Sequence, residues 1–64
     1  MDGNELVKQI RKGMIDYGYS ADYMAVMMRM DRSTWYKRLK NPDRIPFGDV
    51  VKIDRILKLG LFKI

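Results

Sequence analysis

An all-α fold of four to five short helices in a single domain, residues 1–64, is what this sequence predicts. Apolar residues recur at helical spacing along most of the chain, and residues suited to capping or stopping helices cut that pattern into short segments. Only two or three residues separate the second segment from the third, which forces the two helices to cross steeply.

Taken in order, the first helix is predicted over residues 5–17, with Leu6, Ile10 and Met14 at i, i+4 and i+8, Val7 widening the stripe, and Asn4 placed to cap it. Gly13 lowers helix propensity by up to about 1 kcal/mol relative to alanine, which marks a close approach of another helix. Lys8, Arg11 and Lys12 fall on the polar side, where solvation is the plain reading and a phosphate contact from Arg11 or Lys12 the alternative.

Gly18 breaks the chain and Ser20 caps a second helix running to about Met28, with Asp22 in its first turn, favourable to the helix dipole. Ala21, Met24, Ala25 and Met28 follow i, i+3, i+4 and i+7. The methionines at 24, 27, 28 and 30 either fill a core or form an adaptable surface for a partner.

The third helix follows at once. Asp31 accepts hydrogen bonds from its open N–H groups, and Asn41-Pro42 ends it because proline restricts the preceding residue and supplies no N–H. Trp35 and Leu39 fall on one face, Trp35 and Met30 plugging the angle with the second helix. Arg32, Ser33, Tyr36, Lys37 and Lys40 fall on the other. Asp43-Arg44-Ile45 connects to a fourth helix predicted over residues 47–59, opened by Pro46, stopped by Gly60, and carrying Phe47, Val50, Val51, Ile53, Ile56 and Leu57 on a broad apolar face. The tail, Leu61 to Ile64, either folds onto the core, adds a short strand or meets a second copy.

Composition narrows the chemistry. The chain has no His and no Cys, which removes the commonest general base, the commonest metal ligand and the thiol nucleophile. A domain of this size buries only about 60% of the surface of its unfolded form, leaving little room for a cleft beside the core. The expectation is therefore a protein that is not an enzyme, with no cofactor, no metal and no small-molecule substrate. The lack of cysteine and of an apolar leader core in the first ten residues points to a soluble, cytoplasmic protein.

Charge is local. Residues 29–44 hold six basic and two acidic side chains, +4 of the chain's net +5. A pI near 9.8 favours an anionic partner, nucleic acid before a membrane surface. The Ser, Asp and Pro punctuation argues against the long basic amphipathic helix that a membrane surface needs. A short helix with a basic, hydroxyl-bearing outer face suits the major groove of double-stranded DNA, whereas a merely solvated face is the plainer alternative. On the first reading Arg32, Ser33, Tyr36 and Lys37 meet base edges, and Ser20, Arg29, Thr34, Lys40, Asn41 and Arg44 meet phosphates.

Over residues 6–59 the chain resembles the Cro/repressor-type, lambda repressor-like helix-turn-helix domains of temperate phages and bacterial regulators. Tyr19-Ser20-Ala21-Asp22 sits where that family opens its second helix, and Ala25 where it keeps a small residue at the helix crossing. Met30-Asp31-Arg32-Ser33-Thr34 sits where it enters the recognition helix, and Asn41 where it commonly has Asn-Gly. The segment FGDVVKIDRIL resembles its fourth helix. Two departures stand out. Arg29 occupies the turn position where the family usually has glycine, so the backbone there either avoids positive φ or accepts strain. Trp35 and Leu39 are four apart where the family spaces core residues by three, which leaves Arg32 and Ser33 as the contacts the resemblance places most directly. The resemblance implies sequence-specific DNA binding by a regulator of transcription, often a homodimer on a two-fold operator, and the short chain looks more like a Cro-type regulator than a full repressor. The competing function is a small adaptor whose Met and aromatic side chains dock on another protein, with DNA binding weak or lost.

Overall fold

The computed structural model describes residues 2–62. Their elements are α1 (Gly3–Tyr17), α2 (Ala21–Met27), α3 (Arg32–Lys40), a single 3-10 turn (Pro42–Arg44) and α4 (Phe47–Leu57). The architecture is all-α, with no strand among the described residues.

Three helices begin by one device. A side-chain oxygen of the residue before the helix accepts the amide N–H three positions on: Asp2 from Glu5 at 2.8 Å, Ser20 from Tyr23 at 3.1 Å, and Asp31 from Thr34 at 2.9 Å. The cap of α1 is thus Asp2 and not Asn4, which lies within the helix, and α1 starts at Gly3, two residues earlier than its apolar stripe suggests. α4 has no side-chain cap, and Pro46, at φ −56°, leads into it.

The ends differ in kind. α1 closes on Gly18 at φ 69°, with the Gly18 amide bonded to the Ile15 carbonyl and the Tyr19 amide to that of Met14. α2 closes with the same pair of bonds, Arg29 to Val26 and Met30 to Ala25, although the left-handed residue is now Arg29 at φ 57°. The backbone therefore accepts the strain that glycine would have avoided. α4 ends at Leu57, not at residue 59, because Lys58 turns left-handed at φ 51° before Gly60 is reached.

The core is one cluster to which every helix contributes, centred on Trp35, Ile10, Met24, Ile53 and Leu57, all nearly fully buried. α2 packs directly on α3, and α1 on α4. Gly13 permits the second contact, since a Cβ there would lie 3.1 Å from Leu57 Cβ and 3.1 Å from Leu59 Cδ2. Ala25 and Met28 fill the α2–α3 contact, and Met30 packs against the same cluster at half burial. Leu39 and Val50 are half-buried, less enclosed than their spacing implies. Phe47 departs furthest. It is 70% exposed, because a first-turn residue projects off the end of α4 instead of into the core. Beyond α4, Leu59 and Leu61 pack onto the core, and the Leu61 amide donates to Asp54 Oδ1 at 2.9 Å. Phe62 instead meets Phe47 edge-on, with ring centroids 5.4 Å apart, and both rings remain open to solvent. The rest of the tail, residues 63–64, lies outside the described residues.

Candidate nucleic-acid interface

The solvent face of α3 is set by what its other face must bury. Trp35 is wholly enclosed and Leu39, one turn on, is half-buried. At 100° per residue the side chains at 32, 33, 36, 37 and 40 are turned outward, and Arg32, Ser33, Tyr36, Lys37 and Lys40 are all exposed. The helix is nine residues long, about 13 Å at 1.5 Å per residue. With its side chains an α-helix is about 10–12 Å across, and a DNA major groove about 12 Å wide admits it.

The flanking residues border that face along the chain. Arg29 is exposed in the turn before α3, Asn41 follows its last residue, and Arg44 is exposed in the 3-10 turn. Asn41 Nδ2 donates to the Lys37 carbonyl at 3.3 Å, closing the end of the helix. Ser20 is exposed at the start of α2, its oxygen engaged as a cap while its O–H remains a donor. Thr34 is half-buried. The structure thus gathers nine of the ten candidate residues on α3 and its two flanking turns and leaves Ser20 on the neighbouring helix.

Carboxylates occupy one end of this face. Asp31 takes the Thr34 amide and also the Ser33 hydroxyl, whose Oγ lies 3.1 Å from Oδ2. These hydrogen bonds, those from Thr34 first, hold the Asp31 carboxyl below its ordinary value of 3.8. Arg32 Nη1 lies 3.3 Å from Asp22 Oδ1 across the α2–α3 angle. Arg38 faces inward instead, 3.8 Å from Asp49 on α4, and both are half-buried. Asp22, Arg38 and Asp49 were not visible as partners in the sequence, since they pair over ten or more positions with no local pattern.

Other surfaces are apolar. Ile15 and Val26 are 79% and 73% exposed, and Tyr17, Tyr19 and Tyr23 form a stack with centroid separations of 5.4 and 4.3 Å. Desolvation by the neighbouring rings, then the Tyr19 phenol, push the Tyr23 hydroxyl above 10.0, so it is neutral near pH 7. Arg11 and Lys12 are exposed on α1 without an ion pair among the described residues. No helix among the described residues is long and apolar enough to cross a membrane, and no cluster of three or more Asp, Glu, His or Cys there could hold a metal.

Comparison with protein-family models, with curated proteins and with solved structures yields no significant match.

Proposed function

We propose that this protein is a sequence-specific DNA-binding regulator of transcription, of helix-turn-helix type, with α3 as the helix that enters the major groove. One observation carries this more than any other. A nine-residue helix, fixed by a buried tryptophan and crossed closely by α2, turns Arg32, Ser33, Tyr36, Lys37 and Lys40 outward together. Arg and Lys there have the donors that guanine O6 and N7 require, and Ser and Tyr can donate to or accept from bases and donate to phosphates. Arg29, Lys40, Asn41 and Arg44, with Ser20 and Thr34 at helix starts, supply the phosphate contacts that fix register. Double-stranded DNA is the partner, and the protein works in the cytoplasm without cofactor or catalysis. The resemblance to Cro-type regulators favours a homodimer on a two-fold site, with recognition helices about 34 Å apart. A gel-shift titration against genomic DNA fragments at moderate salt tests the proposal. A specific band that survives competitor DNA supports it, and weak binding to every fragment alike counts against it.

A second reading is favoured by Ile15 and Val26, which stand in solvent, and by the exposed Tyr17 and Tyr23 of the tyrosine stack. A small adaptor that docks on another protein would use such a surface, since exposed apolar groups mark contact sites. It predicts that substitutions there, and not on α3, abolish function in the cell.

A further inference from the structure

We infer that Asp22 is a specificity-determining residue: it holds the Arg32 guanidinium so that its free edge reads a guanine, and makes every other base at that position unfavourable. The inference rests on the DNA-binding reading and deepens it. Arg32 is the first residue of α3 and Asp22 lies in the first turn of α2, so the pair spans the mouth of the helix-turn-helix angle. The contact is 3.3 Å, from Nη1 to Oδ1, and both side chains remain largely exposed.

In the free protein such a pair contributes little, because water screens it and both side chains lose rotamer freedom. Its effect appears in the groove. The ion pair runs through Nη1, on the far side of the guanidinium from the edge formed by Nε and Nη2, whose N–H groups can bond guanine O6 and N7 as a fork. A guanidinium fixed from behind loses less freedom on binding than one on a free four-bond stem. The carboxylate also opposes promiscuity. Asp22 adds a negative charge beside a polyanion, which lowers affinity for every sequence. Where Arg32 finds guanine, the Asp22–Arg32–guanine chain offsets that repulsion, and elsewhere it stands uncompensated. Asp22 also suits the dipole of α2, as any acidic residue in its first turn would. That role alone would not couple it to a single base.

Sites selected from random double-stranded DNA, followed by measured affinities for each base at the selected guanine, separate the possibilities for the wild type, Asp22→Asn, Arg32→Ala and the double variant. The expected outcome is one invariant guanine per half-site in the wild type, preferred at least tenfold, and lost in Arg32→Ala. Asp22→Asn should reduce that preference several-fold while non-specific binding stays level or tightens, and it should change nothing further when Arg32 is already alanine. Circular dichroism melts confirm that each variant is folded, and Asp22→Glu, which keeps the charge, should restore part of the preference. The inference is overturned if Asp22→Asn weakens all sequences equally, shifts preference at a different base, or acts independently of Arg32. Those results leave DNA binding itself intact. A wild type that selects no sequence overturns both the inference and the function on which it rests.

Discussion

Arg29 is where stability and function should move in opposite directions. Its φ of 57° puts an L residue in the left-handed region, which costs roughly 1–2 kcal/mol. Glycine would remove that strain but bring a more flexible unfolded chain, worth about 0.4–1 kcal/mol. The net expected for Arg29→Gly is a gain of about 0.5–1 kcal/mol, and in a domain of this size that raises Tm by roughly 2–8 °C. The exposed side chain has no ion pair among the described residues, so little native contact is lost. If Arg29 meets a phosphate, the same variant binds DNA more weakly and its log–log salt slope falls by about 0.9. Lys58→Gly is a matched control. It removes one positive charge and relieves a left-handed residue at φ 51°, but at the end of α4, outside the proposed interface. It should raise Tm similarly and leave the salt slope unchanged. Thermal melts and a fluorescence-anisotropy salt titration measure both effects. The reasoning is refuted if Arg29→Gly lowers Tm, or if the two variants lose the same DNA affinity.

Further outcomes follow from the same structure. Lys40→Ala and Arg44→Ala should each weaken specific and non-specific DNA alike and cut the salt slope by about one unit, as read by anisotropy between low and moderate salt. Trp35→Ala should cost about 3–5 kcal/mol and leave the domain largely unfolded by circular dichroism, because the side chain is wholly enclosed. Gly13→Val puts a Cβ 3.1 Å from Leu57 Cβ and two methyls beyond it into the α1–α4 contact, and should destabilise by about 1–3 kcal/mol in denaturant titration. The Asp31 carboxyl is depressed in the folded state, so its contribution is present above its ordinary 3.8 and lost as pH falls through the lower folded value. Asp31→Ala should therefore lower Tm at neutral pH and lose less stability than wild type as pH falls below about 4, a comparison made by melts across the acid range.

Local chemistry made much of the fold legible. Ser20 and Asp31 cap α2 and α3 where their sequence contexts place them, because an N-cap is a contact over three residues and leaves a short-range signature. Gly13 announced a close approach for the same kind of reason, since a glycine inside an apolar stripe is costly unless something packs on it. The sequence points to Asn4 as the cap of α1, a residue type no better suited to capping than Asp2, and the reach of Asp2 to the Glu5 amide shows why Asp2 takes the role. Lys58 carries no sequence mark of a left-handed residue, so the helix end at Leu57 was hidden behind the more obvious Gly60. Periodicity likewise counted Phe47 as core, although periodicity describes a direction around the axis and not whether a neighbour stands there. On the candidate interface the outward set on α3 followed from the burial of Trp35. The carboxylate that holds Arg32 did not show, since Asp22 reaches it only through the α2–α3 crossing.

The central claim, that α3 is the surface that meets DNA, is tested most directly by titrating uniformly 15N-labelled protein with a double-stranded site selected from random sequence and mapping the amide shifts. The largest changes should cluster on residues 29–41, with Ser20 and Arg44 beside them, while Ile15, Tyr17 and Val26 stay in place. Shifts concentrated on those three residues instead, or no shift with any duplex, would contradict it.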